Sequence, residues 1–108
     1  MSVLPLVFHP RVYEQLDAAY RWWAQNRSPE QAGRWYRGIE QAINGLKSQP
    51  ERHGLAAENG KVLIELRQLL FGLGRRPTHR VLFTIRPECV YVLAMLHVAQ
   101  DAIGVDDL

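Results

Sequence analysis

The chain has 108 residues, 47% apolar and 22% charged, which suits one packed core and excludes both a disordered chain and a two-domain one. No apolar run approaches the roughly 20 residues that a bilayer span requires, and the single cysteine, Cys89, excludes an internal disulfide. The net charge of +2 is too small to imply a nucleic-acid partner by itself.

The opening, MSVLPLVFHPR, has no basic stretch before its apolar run and no small-residue cleavage site. It reads as a first strand over Val3 to Phe8, in a single domain over 1–108 of a cytoplasmic protein. Pro10 suits a first helical position, because its missing N–H would be unpaired there anyway. Val12, Leu16, Ala19, Tyr20 and Trp23 then recur at three- and four-residue steps, which predicts one apolar helix face. Trp22 lies off that stripe and is a candidate edge for a partner-binding groove. Asn26, Arg27 and Ser28 break the helix. Ser28-Pro29-Glu30-Gln31 restarts it, with a Ser N-cap, Pro at N1 and Gln completing a capping box. Ala32, Trp35, Tyr36, Ile39, Ile43 and Leu46 share the face of this second helix, which Pro50 should end. So short a break predicts an antiparallel helical hairpin, with its aromatic residues serving the core.

Residues 47–61 are polar, with Pro and Gly, and read as a loop. Val62 to Phe71 reads as the next strand, and Gly72 to Pro77 as a turn. In Thr78 to Arg86, Val81, Phe83 and Ile85 alternate with Arg80, Leu82, Thr84 and Arg86, which predicts a strand with one apolar face. Cys89 to His97 is apolar on both faces and should lie centrally in the sheet. The tail from Ala99 to Leu108 is acidic, with room for a last helical turn. The expected class is α+β: β-α-α-β-β-β, with the hairpin packed on a small, mostly antiparallel sheet.

Charge is unevenly distributed. From Lys61 to Arg86 six Lys/Arg face one acid, Glu65, a net of +5, and the remaining residues carry −3. A local positive field follows, although a solvated Arg-rich sheet face would have the same composition. His9, His53 and His79 have no metal-site spacing, and one Cys cannot supply a zinc cage, so no metal or cofactor is implied and capping or surface roles are expected for them.

Several pieces in this order resemble the RelE/ParE superfamily of toxins from type II toxin–antitoxin systems. They are Phe8-His9-Pro10, Ser28-Pro29-Glu30, Trp35-Tyr36, Leu46 with Pro50 to His53, and Glu58-Asn59. Leu66 to Gly72, His79 to Phe83, and Val90 to Leu93 followed by His97 complete the set. The resemblance implies a cognate antitoxin that wraps and neutralises the toxin. RelE-like members cleave messenger RNA in the ribosome, whereas ParE-like members act on DNA gyrase, and both share the fold.

The leading expectation is ribosome-dependent mRNA cleavage, with ribosome and mRNA as partners; the alternative is a gyrase inhibitor with no chemistry of its own. Metal-independent cleavage needs a base at the ribose 2′-OH, cations on the phosphorane and an acid at the leaving oxygen. Arg80 and His97 match positions that are functional in RelE-like enzymes, and Arg67 lies on a third strand that pairing could bring near them. These three are the candidate catalytic residues. Lys61, Arg75, Arg76 and His79 are candidates for RNA or target binding. The chain departs from the RelE pattern in having a single Lys47 at the end of its second helix, no Tyr after Tyr91, and Asp101, Asp106 and Asp107 in its tail.

Overall fold

The computed structural model describes residues 3–100. Chain order is β1 (Leu6–Phe8), α1 (Arg11–Asn26), α2 (Pro29–Asn44), β2 (Arg67–Phe71), β3 (His79–Ile85) and β4 (Val90–His97). The four strands form one sheet in the order β1-β4-β3-β2. β1 pairs parallel to β4, and β2, β3 and β4 form an antiparallel meander. The expected β-α-α-β-β-β layout is therefore present, with β4 inside the sheet as its two apolar faces require. The acidic tail, including the suggested helical turn, lies beyond the described residues from 101 onward.

Both helix starts follow their local chemistry. Ser28 is extended and its hydroxyl accepts from the Gln31 N–H at 3.1 Å, with Pro29 at N1. At α1 the His9 Nδ1 accepts from the Arg11 N–H at 3.1 Å, so His9 has the expected capping role. The hairpin packs on one sheet face. Val12, Trp35 and Ile39 are fully buried there against Val81, Phe83, Val90 and Val92. Burying a side chain of this size contributes about 1.5–3 kcal/mol, so this layer is the main source of stability.

Four sequence expectations need revision. The first strand is shorter, running from Leu6 and not from Val3. The second helix ends at Asn44, before Pro50: the chain tightens into one 3₁₀ turn at Gly45–Lys47 and another at Pro50–Arg52. Between them Gln49 takes a left-handed conformation (φ 51°), which reverses the chain. Val62 to Leu66 is not strand, because the Asn59 side-chain oxygen accepts the Leu66 N–H at 2.9 Å in place of a ladder partner. Finally, β3 is buried on both faces. The segment before β2 folds over the outer face, and Ala56 and Leu66 close on Leu82, Leu93, Ala94 and Leu96 in a second, smaller core. An alternation count over β3 alone contains no sign of that cover.

Candidate functional site

The strand register separates the residues expected to act together. Arg80 is opposite Leu70 on β2 and Leu96 on β4, whereas His97 is opposite His79. Successive residues of a strand point to opposite faces, so Arg80 projects to the outer face while His79 and His97 project to the helix face. Arg67 is opposite Phe83, further along the sheet from Arg80. The three do not converge on one point.

Each has its own surroundings. Arg80 is 6% exposed and forms a bidentate ion pair with Glu58, itself 4% exposed. Its Nη1 donates to Glu58 Oε1 at 2.7 Å and to the Gln68 side-chain oxygen at 3.3 Å, and its Nη2 donates to Glu58 Oε2 and to the Gln100 carbonyl. One guanidinium thus joins the covering loop, β2, β3 and the chain leaving β4. Arg67 anchors the neighbouring turn, donating from Nη1 to the carbonyls of His53 at 2.7 Å and Glu51 at 3.2 Å, and pairing with Glu65.

His79 is buried, not at the surface as expected. Its Nδ1 accepts from the Trp35 indole N–H at 3.3 Å and lies 2.8 Å from the Thr78 hydroxyl. Accepting at Nδ1 leaves the ring proton on Nε2 and makes the neutral imidazole the fitting form. Burial, reinforced by His97 with ring centroids 5.6 Å away, pushes its pKa down to about 4. His97 is exposed and its Nδ1 accepts from the Ala99 N–H at 3.2 Å. His53 lies below its ordinary value, through burial first and the nearby Arg52 second. No group of three or more potential metal ligands occurs among the described residues.

Three of the candidate binding residues, Lys61, Arg75 and Arg76, are exposed. They flank β2, whose outer side is an open sheet edge carrying the half-exposed Leu70. A partner-binding groove was expected beside Trp22, but Trp22 does not line the groove that the structure contains. A groove of about 720 Å³ runs between β1 and the base of the hairpin, lined by Leu6, Phe8, Tyr13, Leu16, Tyr36 and Ile39 among others. Tyr13, 61% exposed, is the hint the sequence held: a large aromatic beside the main apolar stripe. Its lining is mainly apolar, with Glu40, Gln41, Asn44 and Lys47 as its polar residues. Among the described residues, no helix is long and apolar enough to cross a membrane.

Comparison with known proteins sharpens this picture. Residues 6–102 match the model of a family described as the ParE toxin of the type II toxin–antitoxin system parDE. Comparison with curated proteins gives no match. Among solved structures, the fold is similar to a chain of a chromosomal ParDE toxin–antitoxin system from P. aeruginosa, with a TM-score of 0.70 at 19% identity, covering 89% of this chain and 97% of that one. At such identity the likeness speaks for the fold alone. The family match corrects the leading expectation of ribosome-dependent mRNA cleavage: it falls on the ParE branch of the superfamily and not on the RelE branch.

Proposed function

We propose that this chain, which belongs to the ParE toxin family of type II toxin–antitoxin systems, arrests growth by binding and inhibiting DNA gyrase and is neutralised by a cognate antitoxin. The observation that carries the reading is the family match over 6–102. The geometry agrees with it. Arg80, Arg67 and His97 do not face one another, and Arg80 is held by Glu58, Gln68 and Gln100. A binding protein needs no such convergence, but a nuclease does. In this reading Arg80 and Arg67 position backbone, and the protein acts through its surfaces.

The antitoxin is proposed to fill the groove at the hairpin base with an apolar segment and to bring acidic residues to Lys61, Arg75 and Arg76 beside the β2 edge. A segment that orders as it binds suits this pair of sites, because many modest contacts spread over a long path offset the ordering entropy. The test is induction in bacterial cells, alone and with the product of the adjacent small reading frame. Induction alone should stop growth with DNA replication failing first and protein synthesis continuing, and coexpression should restore growth. A prompt halt of protein synthesis with intact replication would refute the gyrase reading.

A further inference from the structure

At the tip of the hairpin, opposite the groove, lies a surface that the antitoxin sites leave unassigned. Trp22, in the last turn of α1, is 49% exposed. The Arg27 guanidinium lies over its ring at 5.9 Å from the centroid, and Trp23 stands edge-on to it at 5.4 Å. The Trp23 indole N–H is buried with no acceptor among the described residues. The charge here is also one-sided. Residues 20–37 hold Arg21, Arg27, Arg34 and Arg37, all exposed, against Glu30, a net of +3. Arg21 pairs with Asp17 at 2.7 Å, and among the described residues Arg27, Arg34 and Arg37 have no ion-pair partner. A half-exposed Trp beside Arg is the composition in which binding energy concentrates at protein interfaces.

We infer that this Arg/Trp tip is the face that docks on the target enzyme, against an acidic protein surface, and that it is distinct from the antitoxin groove. The inference rests on the gyrase reading above. A protein surface fits better than DNA. Trp22 has the Arg27 guanidinium over its ring and Trp23 edge-on against it, so it is not splayed for base stacking. The two faces are separate: Tyr36 lines the groove, whereas Trp22 and Arg27 are not among its lining residues.

The test compares Trp22→Ala and Arg27→Glu with wild type for binding to purified gyrase, to the product of the adjacent reading frame, and to duplex DNA alone. Both positions are exposed, and thermal melts confirm that the variants fold; Trp22→Phe serves as the milder change. Each substitution should weaken gyrase binding about tenfold or more while antitoxin affinity holds. Arg27→Glu should also flatten the dependence of gyrase binding on salt. Unchanged gyrase binding in both folded variants overturns the inference, as does an equal loss of antitoxin binding. Binding of duplex DNA as tight as that of gyrase, lost in the same variants, overturns the choice of a protein surface. If wild type itself does not bind gyrase, the functional reading fails first, and that outcome is visible before any variant is compared.

Discussion

Glu58→Ala should destabilise the fold by about 3–5 kcal/mol, the usual effect of leaving one member of a buried ion pair without the other. The size follows from burial. An exposed pair contributes about 0–1 kcal/mol, because water solvates both charges when they part. Here neither side chain reaches solvent, at 6% and 4% exposure. Truncating Glu58 removes the bidentate carboxylate from a buried guanidinium that also donates to the neutral oxygens of Gln68 and Gln100. Arg80→Met should be comparably harmful, since it removes the guanidinium that pairs with the buried carboxylate. The double variant Glu58→Leu/Arg80→Met should recover most of the loss, because matched apolar side chains can replace a buried pair at little net penalty. Recovery should stop short of wild type, as the Gln100 carbonyl and Gln68 lose their donor. Urea denaturation of wild type, Glu58→Leu, Arg80→Met and the double variant closes a double-mutant cycle; a double variant that loses less than either single requires a coupling of at least about 3 kcal/mol. Single variants that each lose less than about 1 kcal/mol would show that the pair behaves as a surface one, and Arg80 would return as a residue free to meet a target.

Three further outcomes follow from named contacts. The His79 pKa falls from 6.5 unfolded to about 4 folded, so the unfolded chain takes up the proton first; stability is complete above about pH 6.5 and falls between there and pH 4. The loss should be about 1–2 kcal/mol after allowance for solvent screening, and a pH series of urea melts should show it shrinking in His79→Gln. Gly72→Ala should destabilise by about 1–3 kcal/mol, since a Cβ there would lie 2.3 Å from the Arg76 carbonyl oxygen, whereas Gly74→Ala, with open space around it, should be neutral in the same melts. Amide exchange with the antitoxin bound should protect α1, α2 and the β2 edge; protection absent from both the hairpin and that edge would refute the two-site antitoxin model.

Periodicity was enough to find the hairpin and the meander, because Val12, Leu16 and Trp23, or Val81, Phe83 and Ile85, report directly on which side faces the core. Ser28 and Pro29 likewise marked the start of α2 within the sequence itself. What periodicity could not reveal depends on partners distant in sequence. Arg80 sits in an apolar strand among other basic residues, and its buried pairing with Glu58, 22 residues earlier, is not visible in that strand's own sequence. The same covering loop makes β3 two-sided and deprives Val62 to Leu66 of a strand partner. His79 looked like a surface residue until Trp35, 44 residues away, supplied its hydrogen bond. The groove depends on β1 and both helices placed together, and no single element contains it. RNA cleavage and gyrase inhibition share one fold, so local sequence patterns do not separate them, and it is the family match that weighs against RNA cleavage.

The most direct test of the account is DNA supercoiling by purified gyrase in the presence of the purified toxin, run beside primer extension on a message translated in vitro. The account predicts that supercoiling is inhibited in proportion to added toxin, that the antitoxin relieves the inhibition, and that the message stays intact. Full supercoiling at saturating, folded toxin together with a cleaved message would contradict it.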